Sequence, residues 1–320
     1  MGGAETPTLD IGKLSGFLSS IGSFSENLIL WFSVEQNLYH YTNLDGLRGI
    51  VENDDLWLTH TQYCNDDEEL THGLRLAKEV CQQVVDNPVI DAKPQVPVPE
   101  PKRGEYLKEL TRLLNDPQAD AVYICCFCEK DDLLSQWRAY GANGAGVSLE
   151  FETVEFSFIT GPDCPPDIGL MRFWKVFYPL ETQQKIIRNA INYYPAQQPS
   201  ASASEWARWT AEAIRFFIPT FKNNDFSEEK EWRLILTPAV GSAAKPSYRV
   251  ARNMLIPYYS LSELSKKLGQ PDRKLPLRAV RIGPGPNKRL NVASVRMLLD
   301  KNGYEQVRVE ASATPYRGAT

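Results

Sequence analysis

The chain has 320 residues, 42% of them hydrophobic and 23% charged, with a formal net charge of −5. That length supports a substantial hydrophobic core in one large domain or two small ones, and the acidic balance argues against a broad cationic grip on nucleic acid. No stretch is long and apolar enough to span a bilayer, and residues 1–13 lack a basic segment ahead of an apolar core, so neither a membrane partner nor a secretory leader is expected and the location implied is the cytoplasm.

In chain order, residues 14–31 have helical spacing and are expected to form a short helix within an N-terminal extension covering residues 1–35. Residues 38–41 are expected to be a strand. Asn43 is placed to cap a helix in which Leu44, Leu47, Ile50 and Val51 repeat at three- and four-residue steps, and residues 53–55 stop it. A second strand is expected over 56–59, and a helix from 65 to about 85 that opens on acidic residues, as the positive end of a helix dipole favours. Residues 87–102 hold five prolines and are expected to be an extended surface excursion without regular structure. A helix follows over 105–114.

Residues 121–127 form the clearest buried strand. It carries Cys125 and, on the following position of the opposite face, Cys126, with Cys128 just beyond. Cys-x-Cys without a second Cys/His pair is a poor zinc signature, so reduced buried thiols and no metal are expected. A short helix over 132–140 ends at Gly141. Strands are expected over 146–151 and 171–178, helices over 183–193 and 205–217, and strands over 232–237 and 277–282. The last is followed by Gly283-Pro284-Gly285-Pro286, which lacks the spacing of a phosphate loop and reads as a rigid turn. A helix over 292–302 and a strand over 306–310 complete the chain. This irregular alternation favours an α+β fold over a doubly wound sheet.

Five places carry residue types suited to chemistry. His40 lies on the first strand beside Tyr41 and Thr42; it either grips a ligand hydroxyl or is a core histidine satisfied by a neighbouring carbonyl. Glu229-Lys230-Glu231 is expected to place two carboxylates on one strand face, with Arg233 on the face of Glu231. They are either an electrostatic site or a solvated acidic strand start paired with Lys230 and Arg233. Trp137 and Tyr140 share a helix face and suit stacking, with core packing the plainer role for Trp137. Lys222 is a candidate phosphate contact or a structural ion pair, and Asn65, Asp66 and Asp67 are ligand contacts or helix caps.

The ordered set LYHYT, LWLTH followed by Tyr63 and Asn65-Asp66, CCFCEKDDLLSQWRAYG, GVSLEF, EKEWRLI and RIGPG resembles the bacterial proteins grouped as domain of unknown function 2971, over residues 36–317. That family in turn looks like a remote relative of the ADP-ribosyltransferases: the opening strand-His-x-Thr and its following helix are similar to DNA-targeting ADP-ribosyltransferase toxins and RNA 2′-phosphotransferases. The resemblance implies a split β-sandwich over residues 36–320 and NAD+ as substrate, with no metal. It assigns His40, with Tyr41 and Thr42, to a ribose hydroxyl. Cys128 and Tyr140 fall at the nicotinamide pocket and Glu231 at the developing ribosyl cation. Beside them, Glu229 suits accepting a proton or orienting the acceptor, and Arg233 suits a phosphate contact or orienting Glu231. Cys128 departs from the serine often found at its position. The implied activity is mono-ADP-ribosyl transfer to a protein or nucleic-acid acceptor, in a bacterial defence or toxin setting with an antitoxin or regulatory partner. The alternatives are NAD+ hydrolysis, action on a nucleic acid, and a non-catalytic nucleotide-binding module.

Overall fold

A computed structural model of the chain describes residues 11–22, 37–64, 69–86, 100–115, 121–156, 168–239, 241–251, 253–270 and 274–316. Asn65, Asp66, Asp67 and the expected excursion over residues 87–99 lie outside these. The helices are α1 (Ile11–Gly22), α2 (Leu44–Asn53), α3 (Glu69–Asp86), α4 (Glu100–Leu114), α5 (Leu134–Ala139), α6 (Leu180–Gln197), α7 (Ala203–Phe217), α8 (Leu261–Lys267) and α9 (Lys288–Lys301). The strands are β1 (Asn37–Thr42), β2 (Trp57–His60), β3 (Tyr123–Cys128), β4 (Val147–Glu152), β5 (Gly169–Lys175), β6 (Glu231–Pro238), β7 (Ser247–Ala251), β8 (Met254–Ser260), β9 (Leu277–Ile282) and β10 (Arg308–Ala311). The fold is α+β with a mixed sheet. No helix among the described residues is long and apolar enough to cross a membrane.

The chain clusters into two compact units, each drawn from three separate stretches. One comprises residues 1–30, 61–122 and 177–226, and its described elements are α1, α3, α4, α6 and α7. Here α4 packs along α7, and α3 against α4 and α6. Helix α7 starts with a capping box in which Ser202 and Glu205 satisfy each other's backbone N–H groups. Helix α6 runs straight through Pro195, two residues past the end expected from sequence. Proline has no N–H, so the carbonyl of Ile191 one turn earlier loses its helical partner. The Tyr106 hydroxyl from α4 donates to that carbonyl at 2.9 Å and so replaces it. Helix α4 likewise begins at Glu100, earlier than expected, with Pro101 in its first turn, where a missing N–H costs nothing; residues 100–102 are therefore helical and not extended.

The second unit, residues 31–60, 123–176 and 227–320, holds all ten strands with α2, α5, α8 and α9. Its sheet forks at β3. One edge of β3 pairs with β6, which pairs in turn with β5. The other edge is shared: Tyr123 and Ile124 pair with β2, leading to β8 and β7, whereas Cys128 pairs with Tyr39 of β1, leading to β4, β9 and β10. All pairs are antiparallel except β9 with β10. A continuous apolar core, including Leu38, Phe127, Phe151, Leu234 and Val280, fills one side of the sheet together with Leu47 and Val51 of α2 and Leu299 of α9. Asn43 caps α2 by accepting from the Gly46 N–H at 2.7 Å, and Asp54 ends it in the left-handed conformation (φ 51°). Sequence patterning missed β7, β8 and α8. Pro257 inside β8 speaks against a strand, but it lies beyond the stretch that β2 pairs, where β8 is flanked on one side only and a proline is tolerated.

Candidate functional site

Side chains directly opposite each other in paired strands share a face. The registers Tyr39↔Cys128, Cys128↔Glu231 and Cys126↔Arg233 therefore put Tyr39, Tyr41, Cys126, Cys128, Glu231 and Arg233 on one face of the sheet, away from the main core. A small apolar cluster of Tyr41, Cys128 and Trp137 anchors α5 over this face, with the Tyr41 and Trp137 rings edge to face at 4.8 Å. The Tyr41 hydroxyl donates to the Lys130 carbonyl at 2.8 Å and accepts from the Leu133 N–H at 3.0 Å, which fixes the loop ahead of α5; burial pushes its phenol well above the ordinary range.

His40 is on the other face. Strand alternation turns it away from Tyr39 and Tyr41 and towards Phe127, whose ring centre is 5.7 Å away within the main core. Its Nδ1–H donates to the Cys126 carbonyl at 2.8 Å, and burial holds its pKa below the ordinary value. At the fork, residues 125–127 have no strand partner on that edge of β3. His40 supplies the hydrogen bond that the splayed strands cannot, which is the carbonyl-satisfied role. Thr42 shares its face and lies against Gly46 at the start of α2. His40 and Thr42 thus do not converge with Glu231.

The Glu-x-Glu is not a strand pair. Glu229 closes a 3-10 turn (Asn224–Glu229), Lys230 takes a left-handed conformation (φ 47°), and β6 begins only at Glu231. Both carboxylates are nevertheless buried, Glu229 at 8% and Glu231 at 5% exposure. Glu231 receives a two-pronged grip from Arg233, Nε to Oε1 at 2.8 Å and a terminal nitrogen to Oε2 at 2.9 Å, and the guanidinium is 1% exposed. Arg233 therefore sits on the face of Glu231 and orients it. The Tyr140 hydroxyl, at the end of α5, donates to Glu229 Oε1 at 3.3 Å. Tyr140 is exposed, whereas Trp137 is fully buried and its indole N–H donates to Asp132 at 2.7 Å.

Cys128 lies between these groups. Burial, and after it the fields of Glu129, Glu229 and Glu231, push its thiol up to about 11, against the Lys130 N–H that donates to the sulfur at 3.3 Å. It stays protonated at neutral pH and is no nucleophile. Lys222 belongs to the helical unit, where its carbonyl accepts from Gln183 and its ammonium lies over the Phe226 ring. The turn at Gly283 and Gly285 is structural: their N–H groups donate to the carbonyls of Gly146 and Gly144 at 2.9 and 2.8 Å. Among the described residues no group of three or more His, Cys, Asp or Glu side chains is arranged to hold a metal ion.

Two residues beyond those marked in the sequence shape the site. Asp132 accepts from Ser312 Oγ (2.6 Å), Ala313 N–H (2.9 Å), Thr314 Oγ1 (2.9 Å) and Trp137, tying the C-terminal strand exit to α5. Gln136, one turn before Tyr140, is buried on α5. Its four-residue spacing from Tyr140 was the one signal in the sequence that could have marked it. No curated protein and no solved structure matches the chain. A stretch that takes in α5, both carboxylates and Arg233, residues 136–234, matches the model of a family described as Protein of unknown function (DUF2971).

Proposed function

We propose that the site at the start of β6, where Glu231 and Cys128 share a sheet face beside Glu229 of the preceding turn and Tyr140 at the end of α5, binds NAD+ and transfers its ADP-ribose to a macromolecular acceptor. The observation that carries this reading is the gathering of two buried carboxylates, Glu229 and Glu231, around Cys128, with the Tyr140 hydroxyl on Glu229, at the stretch where the resemblance expects the ribosyl cation. The division of labour differs from the one expected from sequence. Glu231 is neutralised by Arg233 and is a scaffold for the site, and His40 has no part in it. The carboxylate assigned to the cation is Glu229, oriented by Tyr140.

In the step itself, the C1′–N bond to nicotinamide breaks and its electron pair goes to the ring nitrogen, discharging the pyridinium. The positive charge left on the ribose is stabilised by the Glu229 carboxylate, an interaction stronger in the transition state than in the ground state. The acceptor's hydroxyl or amine adds to C1′ and its proton passes to Glu229 or to water. With water as acceptor the same residues give NAD+ hydrolysis.

A second reading, a binding module without turnover, is favoured by one observation: Arg233 already pairs with Glu231, the carboxylate that the resemblance assigns to the cation. Purified full-length protein incubated with NAD+, with and without cell lysate, separates the two. Nicotinamide release supports the transferase or hydrolase; NAD+ binding without release supports the module.

A further inference from the structure

The side-chain amide of Gln136 is a buried polar group for which the fold provides no use. Gln136 is 6% exposed, yet among the described residues none donates to or accepts from its amide. An amide that the fold leaves without a protein partner takes its hydrogen bonds from solvent or from a ligand. Unlike the hydroxyl of Ser148 on the same sheet, which is fully enclosed, the amide is not sealed off. It stands four residues before Tyr140, and the Tyr140 N–H closes the helical turn onto the Gln136 carbonyl at 2.9 Å, so the two side chains lie on one side of α5. The neighbouring Trp137 is locked against Tyr41 and Asp132, which fixes the rotation of the helix.

We propose that Gln136 is a specificity-determining residue that recognises a planar carboxamide, the amide of a nicotinamide ring, beside Tyr140 and Glu229. A glutamine amide offers one acceptor and two donors in a plane. Its oxygen accepts from the ligand's carboxamide N–H while its own N–H donates to the ligand's carbonyl, a matched pair of bonds. A carboxylate in the same place has no N–H to give and sets an anionic oxygen against the glutamine oxygen. The inference rests on the reading of this face as the NAD+ site, but it concerns only the amide end of that ligand.

The test uses the full chain with nicotinamide and nicotinate as separate probes, their binding followed by ligand-observed NMR titration, on the natural protein, Gln136→Leu and the length-matched Gln136→Met. Thermal melts report folding. The natural protein is expected to bind nicotinamide at least about tenfold more tightly than nicotinate, the scale of one lost hydrogen bond with a buried group left unmet. At least one variant with an unchanged melt is expected to lose that preference. Equal affinity for the two probes, no binding of nicotinamide, or a preference that survives in both variants would overturn the assignment. Gln136-dependent nicotinamide binding together with no cleavage of NAD+ would leave the amide site standing and remove the transferase reading.

Discussion

His40 shows how far one residue's role depends on which way a strand faces. As a core histidine closing the fork, it is held neutral by burial, with its folded pKa below the ordinary value near 6.5. The unfolded chain takes up the proton first as pH falls, so stability is present above about 6.5 and is lost below it. Burial acts in the same direction on His60. His40→Gln keeps a donor for the Cys126 carbonyl and has no proton to gain. Its loss of stability between about pH 7.5 and pH 5.5, from urea denaturation, should be smaller than that of the natural protein; equal losses would contradict the role. The Glu231–Arg233 pair makes a sharper prediction. Glu231→Gln takes the carboxylate of a two-pronged pair away from a buried guanidinium and should cost about 3–5 kcal/mol, whereas the double change Glu231→Leu with Arg233→Met should recover most of that. An unchanged melt for Glu231→Gln would mean that the pair does not hold β6 in place.

Among the elements, α6 survives a proline because another helix supplies what the proline removes. Tyr106→Phe deletes the hydroxyl that serves both the Ile191 carbonyl and Thr210. It should cost about 1–3 kcal/mol by denaturation, the cost of orphaning a buried carbonyl, with faster amide exchange confined to the end of α6; no change in either would show that the carbonyl finds another partner. The exit of β10 is held in a comparable way. Burial alone would raise the Asp132 carboxyl, but the donors Ser312, Trp137, Thr314 and Ala313 hold it below its ordinary value. Asp132→Ala should therefore speed hydrogen exchange over residues 312–316 and α5 together, and exchange that rises in only one of them would separate the two.

For the whole molecule, most element positions could be read from patterning, because buried faces repeat with the period of their element: β1, α2, β3 and β9 lie within a residue or two of expectation. What patterning could not supply was pairing. His40 and Glu231 both belong to strands that sequence locates, but only the registers Tyr39↔Cys128 and Cys128↔Glu231 reveal that they face opposite ways. The left-handed Lys230, which takes Glu229 off the strand, is a lysine in a conformation that sequence gives no reason to expect. Pro195 and Pro257 hid a helix end and a strand because their missing N–H groups are made good by partners distant in sequence or by a single-flanked edge.

The central claim is that Glu229, rather than Glu231 or His40, supports a ribosyl cation on this face. The most direct measurement is the rate of nicotinamide release from NAD+ by the natural protein and by Glu229→Gln, with the melting temperature of each recorded alongside. The account predicts a release rate reduced by about a hundredfold or more, as when one preorganised electrostatic group is lost, with the melting temperature little changed and NAD+ binding retained. Release at the natural rate from Glu229→Gln, or none from the natural protein with any acceptor, would contradict it.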